Sequence, residues 1–122
     1  MASRPPAFPP DVARRLQESE GSVSFRYTLA KPLNQPPERD TVLMETPNER
    51  VLTSMCLDTK LNLRLTRVSC AEGARTVYVP VVALRGARHW DVSLSWNTSE
   101  MKIGVRDRLD PEAPVLEGRF PR

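Results

Sequence analysis

From Gly21 to Val105, apolar and polar residues alternate along much of the chain with a period of two. The alternation is clearest over residues 23–29 and 90–96, where every second position is apolar and the positions between are serine, threonine or charged residues. Successive side chains of a β-strand point to opposite faces, so this period is typical of a strand with one buried face. The pattern therefore predicts strands that each cover one side of a core.

Two pairs of alternating segments are separated by short polar turns and predict β-hairpins. Residues 51–57 pair with residues 61–65, and residues 90–96 pair with residues 101–105. In each pair the apolar positions fall on one face in an antiparallel register, as a hairpin requires. We expect the second hairpin to lie at the centre of the structure. The residues that this pattern predicts to be buried are Phe25, Leu63, Trp90, Leu94 and Ile103.

The other segments complete an all-β assignment with one short helix. Residues 77–82 contain Pro80, which cannot donate a hydrogen bond to a neighbouring strand, so we place this strand at a sheet edge or at a bulge. Residues 107–122 are predicted as a polar tail that clips onto the body. About seven short strands separated by regular turns predict an antiparallel β-sandwich or barrel over residues 21–122. A proline-rich arm and a short helix precede it over residues 1–20.

Composition and charge narrow the classes of partner. The 122-residue chain has the length of one domain, and its net charge of +3 comes from 18 basic and 15 acidic residues that are interleaved. Nucleic-acid binders cluster basic residues, and Arg14-Arg15 is the only adjacent basic pair, so we expect no nucleic-acid partner. The longest apolar run, residues 77–84, is far shorter than the about 20 residues of a membrane span. No secretory signal is visible, so the expected location is cytoplasmic or otherwise intracellular.

Two stretches combine a glycine, an aromatic residue and strict alternation. Residues 21–27 have the sequence GSVSFRY, and residues 84–96 have the sequence LRGARHWDVSLSW. The first resembles the opening strand, and the second the turn and following strand, of the laminin-G-like, concanavalin-type jelly rolls. The likeness extends over residues 21–107. It implies a jelly-roll sandwich that serves as a binding module for carbohydrate or protein.

The residues that could carry chemistry are few and do not converge. His89 is the only histidine, and it lies on one strand face with Asp91 and two serines. A catalytic triad needs residues from different elements, so this arrangement does not predict one. The predicted inner faces carry no pair of carboxylates, and one histidine with two cysteines is too few for a zinc site. We therefore expect no enzymatic activity, no metal and no cofactor.

The cysteines and tryptophans have simpler structural interpretations. In the predicted hairpin Cys56 lies opposite Asn62, which places Cys70 roughly 25 Å away, too far for a disulfide. Trp90 and Trp96 share a strand face and could form a sugar-stacking platform. Their alternation in phase with other apolar residues favours a place in the core.

Two classes of function remain. The first is a non-catalytic interaction module that binds a protein partner or assembles with itself, and the alternative is a carbohydrate-binding, lectin-like module. The proline-rich arm is pre-extended, and its helix is too short to be stable alone, so the segment docks on its own sandwich or on another molecule. We expect it to serve as an attachment element. The candidate interaction residues are Phe8, Val12, Leu16, His89 and Asp91.

Overall fold

The computed structural model describes residues 6–29, 33, 35–46 and 50–121. Within these ranges the chain forms eight strands, one short α-helix and one 3₁₀ turn. The elements are α1 Pro10–Arg15, β1 Gly21–Thr28, β2 Thr41–Glu45, β3 Leu52–Leu57, β4 Asn62–Ser69, β5 Gly73–Pro80, the 3₁₀ turn Val82–Leu84, β6 His89–Trp96, β7 Met101–Asp107 and β8 Leu116–Phe120. None of the described helices is long and apolar enough to cross a membrane.

The strands form two four-stranded antiparallel sheets, which confirms the predicted all-β sandwich. Sheet A has the order β2-β3-β4-β5, and sheet B has the order β1-β6-β7-β8. The apolar sides of both sheets contribute to one core. All five residues predicted to be buried belong to it, and none of them is more than 8% exposed. The jelly-roll connectivity suggested by the sequence resemblance stays a prediction.

The two predicted hairpins are present, and the central one is where the pattern placed it. β6 and β7 occupy the two inner positions of sheet B. β5, which ends at Pro80, is an edge strand of sheet A, as a proline in a strand requires. The period of two therefore identified both the strands and their buried faces.

The register of the β3–β4 hairpin differs from the prediction by two residues. Cys56 lies opposite Arg64 rather than opposite Asn62. The turn is longer than expected because the Asp58 carboxylate accepts the backbone N–H groups of Lys60 and Asn62, at 2.8 and 2.9 Å. A shift by an even number of residues leaves every side chain on its predicted face. The burial pattern was therefore predicted correctly although the pairing was not.

The segment predicted as a polar tail contains the eighth strand. β8 pairs with β7 along its whole length and completes sheet B. Alternation does not predict it because Gly118 occupies the inward position where an apolar side chain would be expected. A Cβ atom at Gly118 would lie 2.2 Å from the carbonyl oxygen of Tyr78 in β5. Glycine thus allows the edges of the two sheets to approach each other on this side.

The N-terminal segment closes the opposite side of the sandwich. Ala7 forms a parallel bridge with Glu45 at the edge of β2, and α1 packs beside β1. The Phe8 ring meets the Phe25 ring edge to face, with 5.7 Å between centroids. The Gln17 side chain exchanges two 2.9 Å hydrogen bonds with the backbone of Val51. The described part of the arm is therefore packed into the sandwich rather than extended away from it.

Candidate interaction surface

The outward side of sheet A, here called face A, is unusually apolar. Its exposed large apolar side chains come from all four strands: Val42 is 40% exposed, Leu52 48%, Val68 38% and Tyr78 40%. The positions between them hold small and hydroxyl side chains, Cys56 and the charged Arg64. The strand register places the following residues on face A: Val42, Glu45, Leu52, Ser54, Cys56, Asn62, Arg64, Thr66, Val68, Ala74, Thr76, Tyr78 and Pro80.

The polar groups near the centre of face A contact each other. The hydroxyl groups of Thr66 and Thr76 are hydrogen-bonded at 2.9 Å. The Arg64 guanidinium forms an ion pair with Asp40 and donates to Cys56 Sγ at 3.5 Å. The bond to Cys56, followed by the contact with Asp40, raises the pKa of Arg64, so this residue remains a paired cation. Little unbalanced charge is left on this surface.

The outward side of sheet B, here called face B, has the opposite character. Its charged residues form two ion pairs, between Lys102 and Glu117 at 3.3 Å and between Arg106 and Asp91 at 3.7 Å. A shallow groove of about 630 Å³ lies over its serines and is bordered by α1. Face B consists of Ser22, Ser24, Arg26, Thr28, His89, Asp91, Ser93, Ser95, Lys102, Gly104, Arg106, Glu117 and Arg119.

The five predicted interaction residues do not form one surface. His89 and Asp91 lie on face B, where the His89 ring contacts the Thr28 hydroxyl at 3.1 Å and Asp91 pairs with Arg106. Phe8, Val12 and Leu16 are 3%, 7% and 0% exposed, within the chain's own core. These three side chains therefore have no surface left for another molecule in this structure. The apolar stripe of α1 docks on its own sandwich because that closes the gap between β1 and β2.

The tryptophans and cysteines occupy positions that favour structural roles. Trp90 and Trp96 are 0% and 3% exposed, and the indole N–H of Trp96 donates to the Glu18 carbonyl at 2.9 Å. Neither ring is available for stacking on a sugar. Cys56 and Cys70 are free thiols. Among the described residues, no three histidine, cysteine or acidic side chains are placed to hold a metal ion.

A buried polar row at one end of the sandwich was not predicted from the sequence. Thr53, Arg67 and Arg75 are direct neighbours across β3, β4 and β5, and their side chains point into the core side of sheet A. They are 1%, 2% and 5% exposed. The signal was present in the sequence, because Arg67 follows Leu63 and Leu65 in the same phase. A charged residue in phase with a buried face is the anomaly that would have revealed this row.

Hydrogen bonds from this row hold the chain connections at the same end. Arg67 Nη2 donates to the Glu18 carbonyl at 2.6 Å, and Arg75 Nη1 donates to the Asn97 carbonyl at 2.9 Å. The Arg67 guanidinium also lies over the Trp96 ring, 5.7 Å from its centroid. The row thereby connects sheet A to the α1–β1 link and to the β6–β7 turn.

Comparison with known proteins adds no relative: no family model, curated protein or solved structure matches the chain.

Proposed function

We propose that the protein is a non-catalytic interaction module that assembles with a second copy of itself through face A. The observation that carries this proposal is the set of exposed apolar side chains spread over all four strands of sheet A. Leu52 and Val68 are paired neighbours, while Val42 and Tyr78 lie on the two edge strands of the same face. Exposed apolar area on a folded domain often marks a functional contact surface. A second copy is the occupant that the charge distribution favours.

The two-fold symmetry of a dimer limits which charges its interface can contain. In a two-fold interface the same patch meets itself, so residues near the axis face their own counterparts. A charged residue there would face a like charge. On face A the central Arg64 is neutralised by Asp40, and Glu45 lies at the β2 edge. Face A can therefore meet its own copy without like-charge repulsion.

The edges of sheet A are less suited to association with another chain than face A is. Exposed edge strands are the usual route to pairing between chains. Here the β2 edge carries the bridge to Ala7, and the β5 edge is approached closely by β8 at Gly118. Association through a sheet face is thus favoured over addition of a strand.

The size of face A sets the expected affinity. Four strands about 4.8 Å apart and about six residues long give a face of roughly 400 Å² per copy. The total buried area would then lie at the low end for specific complexes, which is the range of reversible, transient contacts. We expect a dimer that dissociates in the micromolar range rather than a permanent one.

Sedimentation velocity over a wide range of protein concentration tests this proposal. We expect the wild-type chain to shift from monomer to dimer as its concentration rises. Val68→Asp places a carboxylate on face A of each copy and should weaken the dimer by about 100-fold or more, because each charge would be desolvated in the contact without a partner. Circular dichroism should show an unchanged fold, since Val68 is already partly exposed.

Ser93→Asp is the matched control, because it adds the same charge at an exposed position on face B. We expect it to leave the dimerisation constant within about twofold. A wild-type chain that stays monomeric at every concentration would contradict the proposal. Equal weakening by both variants would show that the association does not use face A.

A further inference from the structure

The polar row Thr53–Arg67–Arg75 holds most of the buried polar atoms that lack a partner. In the described part of the chain, seven buried side-chain nitrogen or oxygen atoms have no hydrogen-bond partner. Five of these belong to the row: Thr53 Oγ1, Arg67 Nε and Nη1, and Arg75 Nε and Nη2. Buried polar groups are normally satisfied, because each unsatisfied one destabilises the folded state. Their concentration in one place points to a group that completes the row.

Among the described residues, the two guanidinium groups also have no buried counter-charge. Arg67 and Arg75 are directly opposite on neighbouring strands, where like charges destabilise a sheet. Neither forms an ion pair with any described carboxylate. The acid that influences both of them electrostatically is Glu72, which is itself hydrogen-bonded to Ser69. Burial, together with the charge of Arg75, lowers the pKa of Arg67.

We propose that this row binds a small oxyanion of the phosphate or carboxylate class. The Nε and Nη2 atoms of Arg75 form one edge of its guanidinium, the geometry that binds carboxylate and phosphate oxygens in pairs. Arg67 supplies two further nitrogens, and the Thr53 hydroxyl can donate as well. One anion would thus meet donors from three adjacent strands.

An oxyanion fits this row better than a buried water molecule. Four of the five atoms are nitrogens that can only donate hydrogen bonds. A water molecule would accept from two of them and would bring two more donors that need acceptors. An oxyanion brings several acceptors and no donor, and its charge balances the two arginines. It satisfies the hydrogen bonds and the electrostatics together.

The position of the row determines how the anion would act. Arg67 and Arg75 already bind the carbonyl groups of Glu18 and Asn97, so an anion between them would connect sheet A, the N-terminal segment and the β6–β7 turn. Because the row is buried, the anion enters when these connections open or when the chain folds. Binding should therefore be slow and should stabilise the folded state, since the unfolded chain cannot assemble the site.

Thermal unfolding of the full chain with inorganic phosphate as the probe tests this inference. The protein is first unfolded and refolded in phosphate-free buffer, and phosphate is then compared with chloride at matched ionic strength. A phosphate concentration about ten times the dissociation constant should raise the midpoint by about 5 °C. A parallel series with acetate shows whether the row binds carboxylates as well as phosphate. A separate ³¹P resonance of protein-bound phosphate, as slow exchange produces, provides a measure on the wild-type chain that does not depend on any variant.

Arg75→Gln and Arg26→Gln form a matched pair of variants. Both remove one positive charge, but Arg26 is an exposed residue on face B. We expect Arg75→Gln to abolish the stabilisation and Arg26→Gln to retain it. A wild-type midpoint that is the same in phosphate, acetate and chloride, with no ³¹P resonance of bound phosphate, would overturn the inference and leave water as the occupant. Equal loss in both variants would also overturn it, because the effect would then be non-specific screening.

Discussion

Face A carries two charged residues, Arg64 and Glu45, whereas face B carries six: Arg26, Asp91, Lys102, Arg106, Glu117 and Arg119. Both faces are formed by four antiparallel strands of similar length. Their difference therefore comes from the residues placed at the outward positions and not from the backbone. A face rich in serine and ion pairs remains solvated, while a face of leucine, valine and tyrosine leaves apolar area exposed to water.

On the inner sides of the two sheets, sheet A is the more polar one. The inward residues of β6 and β7 are apolar except for Asp107 at the end of β7. The inward side of sheet A ends in the polar row of Thr53, Arg67 and Arg75. Sheet B is thus an ordinary amphipathic layer, and sheet A departs from that pattern on both of its sides. Those two departures are the features that suggest function in this molecule.

The largest expected effect tests whether the two sides of sheet B are assigned correctly. Leu94→Ala removes a core side chain that is 1% exposed, and we expect it to lower the free energy of unfolding by about 2–5 kcal/mol. Ser93→Ala changes the adjacent outward residue and should change stability by less than about 0.5 kcal/mol. Urea denaturation of both variants measures the difference. Similar costs for the two would mean that the inner and outer sides are not distinct.

A second prediction concerns the place where the two sheets meet. Gly118→Ala would put its Cβ 2.2 Å from a backbone carbonyl oxygen, and backbone atoms cannot move aside easily. We expect it to cost about 3 kcal/mol. Gly104→Ala, on face B, meets the rotatable Ser93 hydroxyl at 2.8 Å and should cost about 1 kcal/mol. Thermal or urea unfolding distinguishes them, and equal costs would show that β5 and β8 are not in close contact.

The smallest expected effect is the response of self-association to salt. An apolar contact through face A should change its dimerisation constant by less than about twofold when salt screens the surface charges. The ion pairs of face B are exposed and would be weakened by the same treatment. Sedimentation velocity at low and high sodium chloride measures this. A dimer that dissociates in high salt would indicate an electrostatic contact through face B instead.

The sequence pattern was sufficient for the strands whose side chains alternate strictly. β1, β6 and β7 were predicted with their buried faces, because alternation with a period of two indicates which side of a strand is buried. β8 was not predicted, since Gly118 at an inward position interrupts the alternation of apolar and polar residues. The pattern also did not predict where α1 docks. Val12 and Leu16 show that the helix needs an apolar partner but do not specify the molecule that provides it.

Only part of the candidate surface could be predicted from the sequence. Leu52, Val68 and Tyr78 are apolar residues at outward positions of their strands, a signal that was visible once the faces were assigned. Their grouping into one face required the strand order, which joins residues far apart in the chain. Three of the five predicted candidates came instead from the arm and proved to be part of the core, and the other two, His89 and Asp91, lie on face B.

A dilution series followed by two-dimensional amide NMR tests most directly whether face A is the association surface. We expect concentration-dependent shifts at residues such as Leu52, Thr66 and Val68, and unchanged resonances at Ser24 and Ser93 on the opposite face. This pattern would locate the contact on sheet A without any substitution. Shifts confined to the serines and ion pairs of face B, or none at any attainable concentration, would contradict the account.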